Sequence, residues 1–222
     1  MTAASIANRV KILNELVSRH CHQLKRPLPT ILAVTKYASS DQTQAIIDSG
    51  LTLLGENKVQ DGLAKQRICS PCTLHLIGHL QSNKVKKAVQ HFDCIQSVDS
   101  LKTAELIHQA SREIGKRMPI FLEVNIGEEG SKYGFSANDL LNAIDQIHSL
   151  PHLDVQGLMA IPPYDDQAEK TRPYFQKAHS LYQKIRAQHP QFSQLSMGMS
   201  HDFLIALEEG ATMIRIGGFL IQ

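Results

Sequence analysis

From residue 30 onwards, short apolar runs alternate with segments whose apolar residues recur every three or four positions. The runs are TILAVTK, LTLLGE, TLHLIGH, DCIQSV, PIFLEVNI, VQGLMAI, QLSMGM and TMIRIGG. Each has strand length and is bounded by turn residues. Between them, helical spacing predicts helices from Ser40 to Ser49, stopped by Gly50, from near Asn57, and over SNKVKKAVQHF. Further helices are expected from Ser100 to about Ile114, Ser136 to His148, Gln167 to Gln188 and His201 to Glu209. Ahead of all these, Ile6, Val10, Leu13 and Val17 share one helical face, and RPLP ends that N-terminal helix near residue 26.

Strands that alternate with helices must pair in parallel, because each helix carries the chain back to begin the next strand. Eight such strands, with no linker or composition shift between them, favour one domain over residues 1–222: a closed (β/α)8 barrel of the TIM type with an extra N-terminal helix. An open doubly wound sheet is the alternative. In the barrel, the loops EEGSKYGF and IPPYDD follow the fifth and sixth strands, on the rim where barrel active sites lie.

Composition narrows the function classes. The 222 residues hold 23 Lys and Arg against 21 Asp and Glu, which gives no electrostatic case for nucleic acid or an anionic membrane. No apolar run approaches the roughly 18 residues of a membrane span. Four cysteines are few for this length and suit a reduced cytoplasm. The helix faces look ordinary, which points to a monomer.

Candidate chemistry gathers at the strand ends. In ILAVTK, alternation places Lys36 on the same side as Leu32 and Val34, so an amine faces the barrel interior or its mouth. Enclosed in a low-dielectric barrel, a lysine is disfavoured as a cation, and a neutral amine attacks carbonyls. The alternative is a snorkelling or paired lysine at a strand terminus. Glu56, Asn57, His79, Ser97, Asn125, Ser200 and Arg215 also fall at or near strand ends. Ser200 reads as a helix N-cap, and Gly217 and Gly218 allow a backbone to approach an anion. Each is an ordinary turn when taken alone. Together, an amine and an anion cradle on one rim suggest a phosphorylated carbonyl compound.

LAVTK, GENKVQDG, HLIGHLQSNKVK, GLMAI and LSMGMSHD…ALEEGATMIRIG, in order from Leu32 to Gly217, resemble the YggS/PROSC family of pyridoxal-phosphate-binding proteins, the PLP homeostasis proteins. The resemblance implies a single modified barrel similar to the N-terminal domain of alanine racemase. It implies pyridoxal 5′-phosphate (PLP) held as a Schiff base on Lys36, with Asn57 lining the pocket. Ser200 and the Gly217 amide would hold phosphate, and Arg215 would face the pyridine nitrogen. The family often has Ser or Thr where this chain has Gly218, so one side-chain phosphate contact is expected to be missing while the amide remains. An arginine does not readily donate its proton, which makes the cofactor a poorer electron sink. No established turnover follows from the resemblance, which implies a role in vitamin B6 homeostasis and amino-acid and keto-acid balance. PLP-dependent apo-enzymes are the partners a carrier would serve. A racemase-like PLP enzyme and a cofactor-free Schiff-base aldolase remain as alternatives.

Other features read more simply. Cys69 and Cys72, with His75 nearby, offer too few ligands for zinc. Lys84, Lys86 and Lys87 form a basic helix start with no interleaved aromatic residue for base stacking. Met159, Met197 and Met199 are expected as core filler. Lys132 and Tyr133 are expected near the mouth.

Overall fold

The computed structural model of the chain describes residues 1–68, 71–128 and 133–222. Helix α1 (Ala3–Leu24) leads into strand β1 (Thr30–Val34), followed by α2 (Ser40–Asp48), β2 (Leu53–Glu56), α3 (Val59–Ile68) and β3 (Thr73–Leu76). A 3₁₀ turn, Ser82–Lys84, introduces α4 (Val85–His91); then come β4 (Cys94–Val98), α5 (Leu101–Glu113), β5 (Met118–Val124) and α6 (Ala137–His148). β6 (Leu153–Ala160) runs through another 3₁₀ turn, Ala168–Thr171, into α7 (Arg172–Gln188), and β7 (Gln194–Met199), α8 (Phe203–Glu208), β8 (Met213–Ile216) and α9 (Gly218–Ile221) complete the chain.

The strands pair in parallel in chain order and close into a barrel, β8 returning to β1 with Thr30 opposite Met213 and Ala33 opposite Ile216. This is the expected (β/α)8 architecture with its added helix. Helix starts differ by a few residues from the sequence pattern, where a 3₁₀ turn or a tight bend takes up the first predicted turn. The short α9 lies beyond the last predicted element.

α1 buries the stripe Ile6, Val10, Leu13, Val17 and Cys21. It packs on α2, α8 and α9. The Thr2 hydroxyl caps its start by accepting from the Ser5 amide at 3.3 Å, a contact worth about 1 kcal/mol. Each buried aliphatic side chain contributes roughly 1.5–3 kcal/mol as an upper figure, so packing rather than capping holds this helix. Arg9 extends the contact by donating to the Phe219 carbonyl at 2.8 Å and the Gln222 carbonyl at 3.3 Å.

Two apolar regions fill the molecule. The larger lies between barrel and helices, and a smaller one of Leu32, Cys94, Phe121, Met159 and Met213 packs inside the barrel. Ladder irregularities shape the wall: Ile120 pairs with Val155 but Phe121 pairs with Gly157, so Gln156 is passed over. At Gly157 the neighbouring strand approaches so closely that a β-carbon would stand 1.9 Å from the Gln194 carbonyl oxygen. Only glycine fits there without moving backbone. Gly157→Ala should therefore force β6 and β7 apart and cost roughly 1–3 kcal/mol, read as a lower urea midpoint with little change in slope. An unchanged midpoint would show that the wall yields freely at this bulge.

Candidate functional site

Lys36, Asn57, Ser200, Arg215, Gly217 and Gly218 all line one cleft of about 280 Å³ at the carboxyl rim of the barrel. Val34, Ile77 and Ile161 give it apolar walls, and His201 and Met199 also line it, Met199 being exposed there and not the core filler expected. A larger groove of about 830 Å³ runs between α6 and α7 outside the barrel, lined by Asn125, Lys177 and Ser180 among others. That groove contains neither the β1 lysine nor the β8 arginine, so size does not identify the chemistry. Asn125 lines that groove, and His79 and Ser97 do not line the rim cleft.

Lys36 is exposed, with Nζ 4.9 Å from the centre of the Tyr37 ring. The enclosing low-dielectric environment expected from its strand position is not met, because the residue stands beyond the last paired position of β1. The turn that follows it is braced from behind. Lys65 on α3 donates to the Ala38 carbonyl at 2.5 Å and to Thr43 Oγ1 at 2.6 Å. Glu56, expected on the rim, is instead fully buried and accepts from the Thr35 hydroxyl at 2.5 Å. Burial raises its pKa, while the Thr35 hydrogen bond and Lys65 work against that rise.

Ser200 is not the cap of the helix that follows it. Asp202 holds that position, and its Oδ1 accepts from the Met199 amide at 2.6 Å, tightening the turn. The Ser200 hydroxyl turns instead toward the end of β8 and accepts from the amides of Gly217 and Phe219, both at 3.1 Å. Gly217 lies tight against β1: a β-carbon would meet Val34 Cβ and O at 3.2 Å. The result is a hydroxyl and two backbone donors gathered at one edge of the cleft.

Arg215 is 3% exposed. Its Nη1 donates to the Ser196 carbonyl at 2.7 Å and to Ser196 Oγ at 2.8 Å, and its Nη2 to the Ala160 carbonyl at 2.9 Å. Burial lowers its pKa to about 10, with Asp202 and Glu123 opposing, so it stays charged at neutral pH. The bonding continues across the barrel. The Ser196 hydroxyl donates to Gln96 Oε1 at 2.8 Å, which leaves the Gln96 amide nitrogen facing His75 Nδ1 at 2.8 Å. Burial lowers the His75 pKa to about 4, so at neutral pH its Nδ1 accepts. Every donor in this chain points away from the guanidinium.

Gln96, Ser196 and His75 were not singled out for this network in the sequence, although each interrupts an apolar strand with a polar side chain. Glu123 in PIFLEVNI was missed for the same reason. Burial, and then the charge of Asp99, raise it to about 7 against the pull of Arg215. His79 lies 3.1 Å from Asp99 and stacks on Tyr133 at 3.6 Å. Lys132 and Cys69 lie outside the described residues. Among the described residues, no group of three or more His, Cys, Asp or Glu is placed to hold a metal.

The family model described as alanine racemase, N-terminal domain, matches residues 15–221. A pyridoxal phosphate homeostasis protein of Pasteurella multocida is 36% identical, covering 96% of this chain and 95% of its own. One from Aquifex aeolicus is 34% identical with the same coverage, 96% and 95%. PipY of Synechococcus elongatus, solved with PLP bound, superposes with a TM-score of 0.86 at 34% identity, over 98% of this chain and 100% of that one. Alanine racemase from Corynebacterium glutamicum reaches a TM-score of 0.82 at only 12% identity, over 99% of this chain and 61% of that one, a likeness of fold alone. Matched over nearly its whole length, the chain belongs to the alanine racemase N-terminal domain family and, with its relatives, to the pyridoxal phosphate homeostasis proteins.

Proposed function

We propose that this chain binds PLP covalently through Lys36 and serves cytoplasmic PLP homeostasis as a monomeric carrier, passing the cofactor to apo-enzymes. The observation that carries this reading is the meeting, in one cleft, of the Lys36 amine, the buried Arg215 charge and the Ser200, Gly217 and Phe219 cradle. Family membership supports it.

The residues present fit the group. The cleft, about 280 Å³, is near the lower end of the roughly 300–1,000 Å³ usual for small-molecule sites. When bound, PLP supplies an aldehyde that condenses with a primary amine with loss of water, and a phosphate that takes up hydrogen bonds. Lys36 is the amine at the cleft. Ser200 and the Gly217 and Phe219 amides are assigned to the phosphate oxygens, and Asn57 to the wall. Arg215 is assigned to the ring nitrogen. A guanidinium donates a hydrogen bond there without giving up its proton, so that nitrogen stays an acceptor. That arrangement favours holding over turnover.

One observation favours a second reading, a racemase-type enzyme. Glu123 titrates near neutrality inside the barrel and interacts with the Arg215 charge, so it could exchange protons. Amino-acid racemisation assays separate the two readings: sustained turnover abolished by Glu123→Gln would establish the enzyme, and none would leave the carrier.

Purified protein should show an absorption band near 420 nm, about where PLP bound through a lysine absorbs, and borohydride should fix it to the Lys36 peptide. Lys36→Ala should lose both, and a colourless protein that stays colourless with added PLP would defeat the reading. Ser200→Ala should weaken PLP about tenfold while leaving pyridoxal, which has no phosphate, unaffected. Equal weakening of both in a titration would remove Ser200 from the phosphate site.

Glu123 also has a stability signature. Its folded-state pKa rises from 4.5 to about 7, so the folded protein holds a proton that the unfolded chain has lost. Stability should therefore fall as pH rises from 4.5 through about 7. Glu123→Gln should flatten this fall, giving equal stability to the parent in acid and greater stability above neutrality in urea titrations. Parallel pH curves would place the Glu123 carboxylate in a solvated environment.

A further inference from the structure

Gly218 brings no side chain to the cleft, yet the place a side chain would take is filled. A β-carbon on Gly218 would lie 2.9 Å from Gln222 Oε1, 3.5 Å from Gln222 Cδ and 3.9 Å from Ser200 Oγ. The Gln222 carboxamide therefore stands where a side chain at 218 would begin, within reach of the spot that the Ser200 hydroxyl already borders. Its backbone is tied in place on two sides. The Gln222 amide donates to the Gly218 carbonyl at 3.0 Å, and Arg9 on α1 donates to the Gln222 carbonyl at 3.3 Å. The same arginine holds the Phe219 carbonyl at 2.8 Å, and Phe219 is the residue whose amide reaches Ser200 Oγ at 3.1 Å. One clamp from α1 thus holds both the cradle and Gln222.

We propose that Gln222 is a phosphate-binding residue whose carboxamide supplies the contact that Gly218 cannot. This rests on the PLP reading above. A carboxamide carries an NH2 donor and an oxygen acceptor of nearly equal size, so a half-turn of the terminal group presents N–H to an anion without new space. The donor is uncharged. It adds a hydrogen bond to phosphate oxygen while Arg215 remains the buried cation of the cleft. The side chain reaches the site from four residues along the same short segment, which explains how a glycine at 218 is compatible with a complete cradle.

The test is a titration of PLP and of pyridoxal against the parent protein, Gln222→Ala, Gln222→Glu and the double variant Gln222→Ala with Gly218→Ser, followed by visible absorption. Gln222→Ala should weaken PLP about tenfold, the loss of one hydrogen bond to a charged group, with pyridoxal unchanged. Gln222→Glu should weaken PLP further through like-charge repulsion. Gly218→Ser in the Gln222→Ala background should restore PLP binding, since the serine hydroxyl then starts from the vacated space. Gln222 is exposed, so melting temperatures should match the parent. PLP binding by Gln222→Ala within about twofold of the parent, or an equal loss for PLP and pyridoxal, would overturn the proposal while leaving the PLP reading intact. A parent protein that binds neither compound would overturn the PLP reading, and this proposal with it.

Discussion

A guanidinium buried inside a barrel is the interaction on which the rest of this structure depends. Removing such a charge from water costs several kcal/mol unless its donors are met. Arg215 meets them with the Ser196 carbonyl and hydroxyl on β7 and the Ala160 carbonyl at the end of β6. The Ser196 hydroxyl must then donate elsewhere, and Gln96 on β4 accepts. Gln96 in turn needs an acceptor for its amide, and neutral His75 on β3 provides it. One charge on β8 is thereby linked to polar side chains on three other strands, β7, β4 and β3. The network is one-directional: its hydrogen bonds run from the guanidinium to neutral oxygens and an imidazole, and the carboxyls of Asp202 and Glu123 act on the charge without hydrogen bonds to it.

The barrel wall makes this possible by departing from regularity. Register skips occur between β4 and β5, between β5 and β6, and between β7 and β8, where Ser196 pairs with Met213 and Met199 with Arg215. A skipped residue reverses which side chains face inward beyond it. The skip at β7 lets Ser196 serve the interior while Ser200, further along, reaches the β8 end. Gly55 serves the same interior by omission: a β-carbon there would lie 2.2 Å from Leu32 Cδ2. Polar network and apolar packing share a narrow space only because some positions carry no side chain.

These departures also explain what could be read from the sequence. Strand number and parallel order follow from period and length, which skips do not erase, so the barrel and its leading helix were legible in full. Lys36, Asn57, Ser200, Arg215 and the paired glycines were legible as a group, because strand ends in a closed barrel must share a rim. Orientation was not legible. Glu56 follows the same rule as Lys36 yet faces the helices, where Thr35 and Lys65 surround it. Ser200 precedes a helix as a cap would, but Asp202 is placed to take the Met199 amide first. Gln96 and His75 are single polar residues in apolar strands, and nothing local says that they are partners; the pairing of β3 with β4 brings them to 2.8 Å. The place of Gln222 was equally hidden, since it depends on a turn of helix beyond the last predicted element.

The charge of the cleft comes mainly from Arg215. Arg215 is a buried cation and the Ser200 cradle is neutral, so an anionic ligand finds attraction without a carboxylate among the residues that line the cleft. Glu123 sits on β5, which in a closed barrel of eight strands in order lies diametrically across from β1, the strand that leads into Lys36. Burial and the Asp99 charge hold a proton on it near neutrality, and the neighbouring Arg215 favours releasing it. A neutral Glu123 leaves the Arg215 charge without that opposing carboxylate, and an ionised one offsets it in part. The protonation of one β5 carboxyl is therefore tied to the charge balance around the β8 guanidinium.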